Sequence, residues 1–200
     1  MIGVARQHAP ILSVASFRAW LESRPDEEPW ELIEGAPMMM MMMMMMMMMT
    51  PPSRRHQRIA SNLESLLNAA LRRHSPLLAA YHDIGVNIVS SVPYDPEPDM
   101  AVIRQGVNPD PRYADRFYLV AEVLSESDKG IIENKRGIYR AYPSRTCILL
   151  GRQDRLEITV GRRTGGGWHA HVLLGADELA LPDFGLACLL SDVSRDTPLG

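Results

Sequence analysis

Apolar residues recur at helical spacing through the middle of the first half of the chain. Ile59, Leu63, Leu66, Leu67, Ala70 and Leu71 make one stripe. Thr50-Pro-Pro-Ser53 stands before it as a start signal, with Ser53 the expected N-cap, so a helix is predicted from there to about His74. Arg54, Arg55, Arg58, Arg72 and Arg73 decorate its ends. His56 lies three residues before Ile59 and falls on the inward stripe at the first turn. It is either a packed or capping histidine or a polar group facing an active site.

Elsewhere the pattern is shorter. Ser16 is placed to cap a helix from Phe17 to about Ser23. Trp30-Glu-Leu-Ile-Glu34 alternates and Gly35-Ala-Pro37 turns, predicting a strand and hairpin whose second strand is hidden in methionines. Ile84 to Val89, Asp99 to Ile103 and Phe117 to Leu124 read as strands. Ser125-Glu-Ser-Asp128 offers caps for a second helix, about Gly130 to Tyr142. Cys147 to Leu150, Leu156 to Val160 and His169 to Leu174 are further strands, with Gly165-Gly-Gly167 as a hairpin turn. Leu186 to Val193 is a last short element. The pattern predicts an α/β (α+β) domain over residues 1–200, with a core at 16–195 and a central mixed sheet flanked by helices.

The chain has 200 residues, 46% of them hydrophobic and 22% charged, enough for a packed core. Its net charge of −3 excludes a protein that coats DNA by charge alone, so nucleic-acid binding needs a local basic patch or a metal. Cys147 and Cys188 have no zinc-like spacing and suit free thiols in a cytoplasmic protein. Neither a signal peptide nor a membrane span is expected. Met38 to Met49 is an unbroken run of twelve methionines, too short to span a bilayer and without periodicity. Copper-binding segments space their sulfurs with other residues, so no function is drawn from the run.

Three polar residues stand where apolar ones are expected. Asp99 closes Asp95-Pro-Glu-Pro-Asp99 and opens an apolar strand; residues 95, 97 and 99 share a face if extended. A strand-start turn is the alternative for Asp99. Glu122 interrupts Tyr118-Leu-Val-Ala-Glu-Val-Leu124, where it needs a partner, whether a metal or a structural salt bridge to an arginine. Lys135 shares the stripe Ile131, Lys135, Ile138, Tyr139, Tyr142 on the second helix. It either reaches the pocket of Asp99 and Glu122 or snorkels at the stripe edge. His169 and His171 share one face of a strand and read as surface residues. Two carboxylates and a lysine are the minimum kit for metal-assisted phosphodiester hydrolysis.

These residues carry a resemblance. Trp30-Glu-Leu-Ile-Glu-Gly35, Pro51-Pro-Ser-Arg-Arg-His-Gln57, Pro98-Asp99, Glu122-Val-Leu-Ser125 and Lys135-Arg-Gly-Ile-Tyr139 resemble, in order and spacing, the Uma2 family of restriction-endonuclease-like proteins. That family has the PD-(D/E)XK nuclease fold. The resemblance implies a restriction-endonuclease-like core in which Asp99 and Glu122 bind Mg²⁺ or Mn²⁺. The wider fold places lysine two residues after the second acid; here Leu124 occupies that position, and the lysine comes from the next helix as Lys135. His56 matches a family histidine that contacts metal water or phosphate. Departures are the methionine run in place of the second strand and loop, Glu126 where proline is common, and Cys147-Ile-Leu-Leu150 without the usual aromatic and acidic residues.

The expected function is a metal-dependent DNA endonuclease. Asp99, Glu122, Lys135 and His56 form its site, and Arg54, Arg55 and Arg58 contact phosphates without reading sequence. DNA is the expected partner, and a homodimer remains open. The alternative is a non-catalytic binding or assembly module on a nuclease fold.

Overall fold

The computed structural model describes residues 11–25, 28, 30–39, 52–87, 95–106, 112–125, 131–142 and 147–200, with backbone alone at 131 and 134. Its centre is a six-stranded mixed sheet. In chain order its strands are β3 (Leu78–His82), β5 (Met100–Arg104), β7 (Phe117–Leu124), β8 (Cys147–Arg152), β9 (Glu157–Thr164) and β10 (Gly167–Leu174). In space they lie in the order β10-β9-β8-β7-β5-β3. Within this sheet only β7 and β8 pair in parallel. A parallel pair needs a crossover, and α3 (Ile131–Ala141) lies within that connection. β7 is buried at seven of its eight positions, as a central strand covered on both faces should be.

The two faces have separate cores. On one, α2 (Arg54–His74) packs Ile59, Leu63, Leu67 and Leu71 against Met100, Val102, Leu119 and Leu149. On the other, Ile132 and Tyr139 of α3 and Tyr142 just after it pack against Ala101, Phe117, Val120 and Ile148. The stripe of α2 and its cap are as the sequence predicts: Ser53 Oγ accepts from the His56 N–H at 3.1 Å. On α3 the buried stripe includes Ile132, and the side chain of Ile131 lies outside the described residues.

Smaller pieces complete the fold. α1 (Val14–Leu21) starts earlier than expected, with Ser13 as its cap in place of Ser16; Ser13 Oγ accepts from the Ser16 N–H. β1 (Trp30–Ile33) and β2 (Ala36–Met39) form the expected hairpin. Met38 and Met39 belong to β2, and the rest of the methionine run lies outside the described residues. Within the expected strand 84–89, only Gly85–Val86 (β4) pairs, in parallel with Tyr113–Ala114 (β6); residues 88 and 89 lie outside the described residues. The start of the second helix at Gly130 and its caps at 126–128 also lie outside them.

β3, β6 and β11 were not expected. β3 supplies one edge of the sheet, and β11 (Glu178–Leu181) forms a hairpin with β12 (Leu186–Leu189), which with the short α4 (Leu190–Val193) makes up the last element read over 186–193. Gly185 turns that hairpin at φ +67°, and a Cβ there would lie 2.5 Å from His74 Cβ, so only glycine lets the turn meet the end of α2. Gly165 to Gly167 connects β9 and β10 as a hairpin, and both histidines of β10 are exposed, as read from the sequence. No helix among the described residues is long and apolar enough to cross a membrane.

Candidate functional site

β5 and β7 run antiparallel with Met100 opposite Ala121. One step further along that register sets Asp99 across from Glu122. Glu122 shares its face of β7 with Val120 and Leu124, the face covered by α3. Glu122 therefore faces α3 at one end of the sheet, while Asp99, just before β5, reaches His56 in the first turn of α2.

Each acid is held by different donors. Asp99 Oδ2 accepts from the Val123 N–H at 2.7 Å, and His56 Nε2 stands 3.3 Å from Asp99 Oδ1. Burial would raise the Asp99 pKa, but the hydrogen bond and charge of His56, the Val123 N–H and Lys135 hold it below its ordinary value. Glu122 is 6% exposed. Its Oε1 accepts from the Tyr139 hydroxyl at 2.7 Å and lies 3.3 Å from Lys135 Nζ. Burial pushes its pKa up to about 7; Lys135 and the Tyr139 hydroxyl oppose the rise and Asp99 adds to it. The Tyr139 hydroxyl is itself driven well up by burial and by Glu122, so it stays a donor.

Lys135 does not snorkel. It is 6% exposed, and its ammonium bridges Glu122 and Glu31, 3.1 Å from Glu31 Oε1. Burial alone would lower its pKa; Glu122, Glu31 and Asp99 outweigh burial and raise it, so the group stays charged. Leu124, at the usual lysine position of the wider fold, is part of the apolar core under α3. The partner of Glu122 is thus a lysine and a tyrosine, and no arginine is among its described contacts.

Glu31 is the residue the sequence reading missed. It is fully buried on β1 and accepts the Glu97 N–H at 3.1 Å besides facing Lys135. Its position follows from how β1 is anchored. Asp95 pairs with the backbone of Leu32, and Arg18 of α1 grips the Asp95 carboxylate with two bonds of 2.8 and 3.0 Å. Residues 95, 97 and 99 thus part company: Asp95 is structural, Asp99 enters the site, and Glu97 lies nearby. Glu97 is pushed up to about 7 by burial, then by Asp83 and Glu31. The signal available beforehand was a carboxylate between Trp30 and Leu32 in an apolar strand. His82 is a second missed partner: Nδ1 lies 3.0 Å from the Asp99 carbonyl oxygen and Nε2 2.6 Å from Glu64.

The arginines mark a neighbouring cleft of about 870 Å³, lined by Arg54, Arg55, Arg58, Ser53, Ser125 and Gln153 among others. Asp99, Glu122, Lys135 and His56 are not among its described lining residues; it adjoins them in sequence only, through Ser125 after Glu122 and Arg55 before His56. Arg54 and Arg58 are exposed; Arg55 is half-buried and bonds the Gln153 carbonyl at 3.1 Å. A second cleft, of about 810 Å³, is lined by Glu97, Asp83, His82, Trp30, Tyr81 and Tyr113 among others.

Among the described residues no three His, Cys, Asp or Glu side chains are gathered into a ready metal cage. The donor set nonetheless fits a hard divalent cation. Such ions take oxygen ligands, and Mg²⁺ is commonly held by one or two carboxylates while keeping several waters. Glu97 and Glu122 are raised to about 7 chiefly by burial, with neighbouring acids adding to the rise, and a cation beside them would favour their ionised forms.

No curated protein matches the chain. Its fold is similar to the crystal structure of a putative nuclease belonging to DUF820 from Anabaena variabilis. That likeness has a TM-score of 0.67 at 17% identity and covers 92% of this chain and 97% of the other. The family model described as Uma2, putative restriction endonuclease, matches residues 14–191, and the chain belongs to that family.

Proposed function

We propose that the protein is a Mg²⁺- or Mn²⁺-dependent DNA endonuclease that hydrolyses phosphodiester bonds at Asp99 and Glu122. The observation that carries this reading is Lys135: a charged lysine held inside the protein by two carboxylates, beside a third acid on the neighbouring strand. A purely structural role would be met more cheaply by apolar residues of similar size.

Asp99 and Glu122 would hold the cation, which when bound polarises a phosphoryl oxygen and acidifies a water. Asp99 is ready for that task because His56 and Val123 keep it ionised. Glu122 gives up its proton near neutral pH, with Tyr139 fixing its orientation. Lys135 is placed to orient water or offset charge growing on the phosphate. Arg54, Arg55 and Arg58 at the cleft offer phosphate contacts that position a strand without reading its sequence. The two thiols form no disulfide and suit a cytoplasmic setting.

A labelled DNA duplex incubated with the protein and Mn²⁺, with and without a chelator, tests this reading. Cleavage that stops on chelation is expected. Cleavage that survives chelation, or no cleavage with Mn²⁺, contradicts it; the second result favours a non-catalytic binding module.

A further inference from the structure

Glu31 has one oxygen in use and one left over. Oε1 receives both Lys135 Nζ and the Glu97 N–H. Oε2 is buried and has no hydrogen-bond partner among the described residues. A buried carboxylate oxygen without a donor is costly, so such an atom calls for a ligand. The two oxygens of one carboxylate are about 2.2 Å apart by covalent geometry, so Oε2 lies in the same acidic cluster. One lysine ammonium bridges Glu31 and Glu122, and Glu31 also acts electrostatically on Glu97 and Tyr139.

We infer that Glu31 is the third acid of the cation site, its free Oε2 accepting a hydrogen bond from a water held by the cation. This deepens the proposed nuclease reading and rests on it. Acting through a water agrees with the lack of a ready three-ligand cage among the described residues, and with the habit of Mg²⁺ of keeping its waters. It also gives β1 a role in the site: Arg18 and Asp95 fix the strand so that Glu31 is delivered to Lys135 as a second carboxylate beside Glu122.

Calorimetric titration with Mn²⁺ alone tests the inference, using the full chain, Asp99→Asn and Glu31→Gln, with folding checked by circular dichroism. The parent should bind, Asp99→Asn should lose binding, and Glu31→Gln should bind about 10-fold or more weakly, the range for partners that orient metal ligands. Glu31→Gln repeated in a Lys135→Met background separates a water contact from mere support of Lys135: the loss should persist. Should Glu31→Gln fail to fold, Glu31→Asp keeps the charge, withdraws the oxygen and should show the same loss. Parent-like Mn²⁺ affinity in Glu31→Gln or Glu31→Asp overturns the inference while leaving the nuclease reading intact. A loss that vanishes without Lys135 does likewise. No Mn²⁺ binding by the parent overturns both.

Discussion

His56 Nε2 lies 3.3 Å from Asp99 Oδ1, tying the first turn of α2 to the start of β5. The pairing lowers the Asp99 pKa against the opposing effect of burial. Replacing His56 by Ala should weaken Mn²⁺ binding or cleavage by about 10- to 100-fold, as removal of an orienting partner does. In the metal-free protein it should also raise the Asp99 pKa, read by NMR titration of that carboxyl. An unshifted titration would separate His56 from Asp99.

The two raised acids set a pH dependence of opposite sign. Glu122 and Glu97 both sit near 7 in the folded chain against an ordinary value of 4.5. The folded state therefore holds protons that the unfolded state has released. Their contribution favours folding below 4.5 and is withdrawn as pH rises from 4.5 to 7. The metal-free protein should melt at a lower temperature at pH 8 than at pH 6, and added Mn²⁺ should close that gap. Asp99 acts the other way: its stabilisation is present above its ordinary value of 3.8 and disappears on acidification. A melting temperature that rises from pH 6 to pH 8 without metal contradicts the assignment.

Lys135→Met removes the only charge between Glu31 and Glu122 in their described contacts. Breaking a buried pair costs about 3–5 kcal/mol because it strands the remaining charge. At pH 5 the Glu122 carboxyl, raised to about 7, is protonated, so the destabilisation should be smaller there than at pH 8. Urea unfolding at both pH values measures this; equal destabilisation would show that Lys135 acts by packing alone.

Arg54 and Arg58 are exposed beside the cleft and so can be removed with little cost to the fold. In an Asp99→Asn background, changing both to Ala should weaken duplex binding. It should also flatten the dependence of log affinity on log salt by about 0.9 for each phosphate that an arginine no longer neutralises. An unchanged slope places the DNA elsewhere.

The central residues were legible because each breaks a pattern. Glu122 interrupts an apolar strand, Lys135 sits on an apolar stripe, and Asp99 closes an acidic approach to a buried strand. Charge in such places has a cost that needs a reason. Glu31 was harder to find because Trp30-Glu-Leu-Ile-Glu34 looks like ordinary alternation, with glutamate on the wet side. In the fold that side meets Lys135 and the Glu97 N–H, and residues so far apart in the chain give no local sign of it. β3 escaped for another reason: Leu78-Ala-Ala-Tyr-His82 has little β-branched character and is a strand because Met100 to Arg104 offers it an edge. The restriction-endonuclease-like core was legible through the combination of motifs, while each motif alone was weak.

The most direct measurement is nicking of supercoiled plasmid by the purified protein with Mg²⁺ or Mn²⁺, run beside Asp99→Ala matched for folding. The parent should convert the plasmid and Asp99→Ala should not. Equal conversion by both proteins would contradict the assignment of Asp99 and Glu122 as the catalytic metal site.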